Sequence, residues 1–214
     1  MLRSSMIGSI TILLIVLLVA CGPEDVRAGV DNQVPTPTPS VREAPGRDCY
    51  FVNDVRWCRG RDYQTANISN ETLVIGSTSG NRKTEMWGAS PSSGWDCTFE
   101  LTFHQGLPDS SVGLAIWNPR EYAVTFRGGA VKVVSDGQVV RARAVSSYIG
   151  EPIKVHLKAS NERVYAAING QVLVDEPNTF WGEQTVWGEQ GLRPRLNSDT
   201  EETITLHTSS CKTE

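Results

Sequence analysis

The chain has 214 residues, 39% hydrophobic and 21% charged, which suits one packed domain with appendages and excludes a wholly disordered protein. A formal net charge of -4 leaves no polybasic footprint, so nucleic acid is not expected as a partner. The three histidines, His104, His156 and His207, all lie in strand-like alternating runs, which argues against a histidine-rich metal site or a hydrolytic triad.

The amino-terminal segment reads as an address. Arg3 precedes an apolar run over residues 10–20 that is as long as a signal-peptide core and short for a membrane span. The run ends Leu18-Val19-Ala20-Cys21-Gly22, which resembles the lipobox of bacterial lipoproteins. There, small residues admit the backbone to a peptidase, and the cysteine thiol carries a diacylglyceryl group. The resemblance implies a signal peptide at 1–20 and a mature chain beginning at lipid-bearing Cys21, held on the extracytoplasmic face of a bacterial membrane.

Residues 21–46 show no hydrophobic periodicity. Val34-Pro35-Thr36-Pro37-Thr38-Pro39-Ser40 is a Pro-Thr repeat, expected to form an extended, semi-rigid spacer. The domain itself is expected over residues 47–214.

That domain reads as β throughout. Phe99, Leu101 and Phe103 alternate with polar neighbours, as do Tyr122, Val124 and Phe126, and Val155, Leu157 and Ala159. Val112, Leu114 and Ile116 alternate with Gly113, Ala115 and Trp117, and Ile204 and Leu206 with Thr203, Thr205 and His207. A period of two marks a strand with one buried face. Asn118-Pro119, Gly128-Gly129, Asp136-Gly137 and Asn169-Gly170 supply turns between the runs, the last being the strongest hairpin signal. No helical stripe interrupts them, and about a dozen strands in two packed antiparallel sheets are expected.

Four cysteines remain once Cys21 is set aside: Cys49, Cys58, Cys97 and Cys211. They are spaced too widely for the paired ligands of a zinc site, and export permits disulfides, so two disulfides are expected. Cys49 and Cys58 flank Asn53-Asp54, good turn chemistry for a hairpin that would bring them opposite one another.

The run from Ile153 to Val174, with Val164-Tyr165-Ala166-Ala167-Ile168-Asn169-Gly170 at its centre, resembles the central meander of concanavalin A-like, LamG-type jelly-roll domains. Cys97-Thr98-Phe99-Glu100-Leu101-Thr102-Phe103 resembles the family's early strand. Gly188 to Leu192 and Thr203 to His207 stand where its last two strands fall. The resemblance implies an all-β, two-sheet antiparallel jelly roll over residues 95–208. It also implies that the early and final strands are antiparallel neighbours, which pairs Cys97 with Cys211 and leaves Cys49 with Cys58. It says little about function, because this fold carries lectins, hydrolases and adhesion modules alike.

A glycosidase on this fold needs two carboxylates flanking the scissile bond, and the expected Glu-x-Asp-x-x-Glu is absent. Glu183 and Glu189, in the echo Trp181-Gly182-Glu183-Gln184 and Trp187-Gly188-Glu189-Gln190, are weak catalytic candidates, with Glu151 and Asp175 as further carboxylates that would have to converge. No calcium-loop or phosphate-loop spacing occurs, and neither a metal nor a cofactor is expected. Six tryptophans favour a sugar ligand, which stacks its apolar ring face on an indole. Trp117, Arg127, Arg141 and Arg143 are the ligand-binding candidates, with Trp117, Arg127 and Arg141 expected on one sheet face. The leading expectation is a membrane-anchored, glycan-binding lipoprotein. The alternatives are a glycoside hydrolase of the same fold and a non-catalytic protein-interaction or envelope module.

Overall fold

The computed structural model describes residues 41–45, 48–60, 66–76, 84–105, 110–118, 120–127, 129–181, 191–198 and 203–214. All fall within the compact unit Pro37–Glu214. Cys21, Glu183 and Glu189 lie outside the described residues.

Sixteen strands occur among these residues. The first six are β1 (Val41–Glu43), β2 (Cys49–Val52), β3 (Val55–Arg59), β4 (Ala66–Ser69), β5 (Thr72–Gly76) and β6 (Thr84–Gly88). Next come β7 (Trp95–Phe103), β8 (Ser111–Asn118), β9 (Arg120–Arg127), β10 (Ala130–Ser135) and β11 (Gln138–Ala144). The meander is β12 (Pro152–Ala159), β13 (Arg163–Ile168) and β14 (Gln171–Pro177), followed by β15 (Arg193–Ser198) and β16 (Thr203–Thr213).

One sheet runs β1-β2-β3-β6-β15-β8-β9-β10-β11 and the other β14-β13-β12-β7-β16-β5-β4. Every pairing is antiparallel. The strand count exceeds about a dozen because β1 to β6 hold three to five residues each, too few for alternation to be recognised. β1 pairs with β2 and takes in residues that composition places in the spacer. The penultimate strand is Arg193–Ser198; Leu192 forms only an isolated bridge with Ser92.

The core follows the alternation. Phe99, Leu101, Leu114, Val124, Val155, Leu157 and Leu206 are buried between the sheets. The hairpins β10–β11 and β13–β14 turn on residue pairs with positive φ: Asp136 (54°) with Gly137 (76°), and Asn169 (49°) with Gly170 (80°). Asn and Asp tolerate that left-handed region and Gly enters it freely, which is why these dipeptides make type I′ turns.

Three of the six tryptophans are core residues. Trp57 donates its indole N–H to Ser209 Oγ at 3.1 Å, and Ser209 Oγ donates to the Val52 carbonyl at 2.8 Å, tying the two sheets together. Trp95 donates to the Leu192 carbonyl at 2.8 Å and Trp181 to the Val134 carbonyl at 3.0 Å. A buried indole needs such an acceptor, and each has one.

Cys49 is bonded to Cys58, and Cys97 to Cys211. Each pair sits directly opposite in its ladder, the first between β2 and β3 and the second between β7 and β16. Two disulfides are the chemistry of an oxidising compartment and suggest an extracytoplasmic location. Among the described residues no helix is long and apolar enough to cross a membrane.

Candidate ligand-binding cleft

The outward face of the nine-stranded sheet carries a cleft of about 270 Å³ lined by residues of β8, β9, β10, β11, β15 and the β10–β11 turn. Strand register explains how it is built. Trp87, Arg195, Gly113, Thr125 and Lys132 are successive partners across β6, β15, β8, β9 and β10, and so form one row on one face. Glu85, Asn197, Ser111 and Arg127 form the next row across the same strands as far as β9. Side chains two apart share a face, so both rows point away from the core filled by Met86, Leu114, Val124 and Val133.

Gly113 makes the row possible. A Cβ there would lie 2.5 Å from Thr125 Cγ2 and 2.9 Å from the Val124 carbonyl oxygen. Only glycine lets Thr125, which lines the cleft, lean across β8; a side chain at 113 would push it from that position.

Arg195 is held from three sides. Its Nη1 donates to Glu121 Oε1 at 2.6 Å, Nε lies 2.6 Å from Glu85 Oε1, and the guanidinium carbon stands 5.3 Å from the Trp87 ring centroid. The Nε–Glu85 contact lies off the N–H direction, so it is an ion pair rather than a directed hydrogen bond. The side chain is only 21% exposed, so these contacts are screened less than surface pairs. Half-buried Trp87 packs against Ala115, Ala123 and Val134, which are themselves buried. The cleft's own apolar lining is Val134 and the exposed Val139, set beside a rigid group of polar side chains.

The ligand-binding candidates named from the sequence divide. Arg127 lines the cleft. Trp117 pairs through its backbone with Glu121 at the end of β8; its side chain lies outside the described residues. Arg141 does not share the face of Arg127, which corrects that expectation, and Arg143 lies on the same side as Arg141. They pair with Val133 and Val131, whose side chains enter the core, so they point toward the inter-sheet side at the sandwich edge. There Arg141 donates to Glu176 Oε2 from Nη2 at 2.6 Å, lies over the Phe180 ring, and has Arg143 Nη2 3.9 Å from Glu176 Oε1. This cluster joins the edge strands β11 and β14 of opposite sheets. Sequence reasoning misses Trp87, Lys132 and Arg195, although Glu85 and Trp87 on one face of a short alternating run are a readable sign.

The carboxylates of the hydrolase reading do not gather among the described residues. Asp175 is bound by Arg163, with Nε donating at 2.7 Å, on the seven-stranded sheet. Glu151 stands just before β12 in that same sheet. In the cleft, Glu85 and Glu121 are both engaged by Arg195.

On the outer face of the seven-stranded sheet, His156 Nε2 lies 2.7 Å from Asp96 Oδ1, and Lys158 pairs with Asp96 Oδ2. Burial would raise the Asp96 carboxyl, but the hydrogen bonds from Lys158 and His156 outweigh it and hold the group below its ordinary range. The bond to Asp96 in turn raises Lys158. Both carboxylate oxygens are occupied, so this is a closed ion cluster. No group of three His, Cys, Asp or Glu side chains suited to a metal ion occurs among the described residues.

No family profile and no curated protein matches the chain. Solved structures do match its fold. Carbohydrate-binding module CBM66 from Bacillus subtilis superposes with a TM-score of 0.52 at 12% identity, covering 73% of this chain and 95% of that one. The carbohydrate recognition domain of Emp47p gives 0.53 at 11% identity over 80% and 90%. The exoplasmic/lumenal domain of VIP36 gives 0.54 at 8% identity over 75% and 84%. At such identities the likeness defines the fold alone. The protein is an all-β, concanavalin A-like jelly-roll sandwich, an architecture it shares with a carbohydrate-binding module and a carbohydrate recognition domain.

Proposed function

We propose that the protein is a lipid-anchored, extracytoplasmic glycan-binding module whose ligand occupies the cleft on the nine-stranded sheet. The observation that carries this reading is the Arg195 guanidinium, locked by Glu85, Glu121 and Trp87 in a cleft that also presents the apolar side chain of Val139. A sugar presents an apolar ring face and a rim of hydroxyls. It therefore needs both surfaces, held rigidly enough that binding does not have to order them. The cleft's strand-borne side chains meet that need. The fold's occurrence in carbohydrate-binding proteins supports the reading, and the lipobox-like Ala20-Cys21 with the Pro-Thr spacer supports the anchor.

The full chain in detergent, applied to a glycan array, is expected to bind a restricted set of glycans. Gly113→Val drives side-chain atoms into Thr125 at a stability cost of about 1–3 kcal/mol, and affinity is expected to fall at least tenfold while the chain remains folded. Unchanged affinity in a folded Gly113→Val chain places the ligand elsewhere. A fatty-acid probe supplied to the expressing bacterium is expected to label the wild-type chain but not Cys21→Ser. Labelling of Cys21→Ser would refute the anchor.

A further inference from the structure

We infer that the cleft reads a vicinal diol of the glycan, one hydroxyl received by Arg195 Nη2 and its neighbour by Glu121 Oε2. The inference rests on the glycan-binding reading and adds the chemical group that is recognised. Both residues line the cleft. Register sets them two rows apart: Arg195 stands opposite Gly113, and Glu121 opposite Trp117 at the end of β8. Ala115 and Ala123, paired with each other, form the row between. Those small side chains let the guanidinium cross to Glu121, where Nη1 donates to Oε1 at 2.6 Å.

That hydrogen bond uses one atom of each group. Arg195 Nε is buried and set against Glu85, which leaves Nη2 as the nitrogen with N–H groups to offer. Glu121 Oε2 accepts no hydrogen bond among the described residues and is not sealed from solvent. Nη2 and Oε2 each lie one bond angle from the 2.6 Å contact, so a donor and an acceptor are fixed side by side. A ligand carboxylate there would meet the charge of Glu121, and a ligand ammonium that of Arg195. A ligand that accepts and donates from adjacent atoms satisfies both. Vicinal ring hydroxyls do so, because each rotates to place its hydrogen where it is needed. One accepts from Nη2 and the other donates to Oε2, each bond charge-assisted and roughly twice as strong as a neutral one. An acetamido group fits less well, since its trans amide turns N–H and C=O in opposite directions. Val139, exposed within the same lining, offers the C–H face of the ring an apolar surface.

The test measures binding of the full chain in detergent to dextran and xylan, whose residues carry adjacent free hydroxyls. Long β-1,3-glucan and chitin, whose interior rings are intact but carry no such pair, are the comparison. Dextran or xylan is expected to bind at least tenfold more tightly than either. Glu121→Gln keeps the side chain's shape and leaves Arg195 its contact with Glu85. It is expected to lower affinity for the diol-bearing polymer about tenfold, with urea unfolding to confirm that the variant is folded. A glycan array printed in duplicate, one copy oxidised with periodate to cleave vicinal diols, extends the test to other glycans and needs no variant. Signals are expected to vanish from the oxidised copy. Three results would each overturn the diol and leave the glycan-binding reading standing. They are β-1,3-glucan or chitin bound as tightly as dextran or xylan, array signals that survive periodate, and a folded Glu121→Gln chain that binds like wild type. No binding to these polymers or to any array glycan overturns both.

Discussion

Replacing Cys97 and Cys211 together by alanine is expected to lower the unfolding free energy by about 4.7 kcal/mol, the chain-entropy value for a loop of roughly 100 residues. The two cysteines are separated by 114 positions, so the bond closes a loop containing most of the sandwich. In the folded chain it adds little, because β7 and β16 already hold Cys97 and Cys211 opposite one another at the centre of the seven-stranded sheet. Its effect is on the unfolded ensemble, which it denies its most extended states. The Cys49–Cys58 bond spans 9 positions and by the same relation contributes about 3 kcal/mol or less. Urea unfolding of the two alanine pairs, with wild type under oxidising conditions as reference, measures the difference. The Cys97/Cys211 pair should also show a larger denaturant slope, since its unfolded state exposes more surface. Equal losses for both pairs would show that unfolded-state entropy does not dominate here.

How far the sequence reaches depends on how many residues an element has in which to show its period. β7 and β12 hold nine and eight residues that alternate between buried and less buried over most of their length, and their period is plain; β9 shows its period in sequence although Ala123 and Thr125 on its other face are buried too. β11 is as long as many legible strands but lies at a sheet edge with both faces largely exposed, so Gln138–Ala144 carries no period. β15 hides for another reason: Pro194 lies within it, and proline in a sequence argues against an interior strand. The hairpin turns are local chemistry, and Asn169-Gly170 announces itself. The cleft is not local. Arg195 and Glu121 are 74 positions apart and meet only because β15 inserts between β6 and β8. The abundance of tryptophan misleads similarly. Trp57, Trp95 and Trp181 are structural because a backbone carbonyl or a serine happens to face each indole N–H, and composition carries no trace of that.

Arg195→Met is expected to destabilise the protein by roughly 2–4 kcal/mol, because it removes the shared cation of two partly buried carboxylates. Glu85 and Glu121 are 15% and 28% exposed, and water cannot solvate them fully where they stand. Methionine preserves much of the volume and the contact with Trp87, so the loss measures charge rather than a cavity. Arg195→Lys should fall between, since an ammonium on a flexible stem cannot present the two separate nitrogens that reach Glu85 and Glu121. The decisive variant combines Arg195→Met with Glu85→Gln and Glu121→Gln. If uncompensated charge is the cause, this triple variant regains most of the lost stability, although every ion pair of the cluster is gone. The midpoint of urea unfolding at neutral pH reads each step. A triple variant no more stable than Arg195→Met alone would mean that the guanidinium acts through its packing on Trp87. The same triple variant separates stability from binding. If the cleft holds a glycan as proposed, affinity should stay low with the sheet restored but its fixed charges deleted, because the ligand would then meet no locked polar array despite an intact strand order.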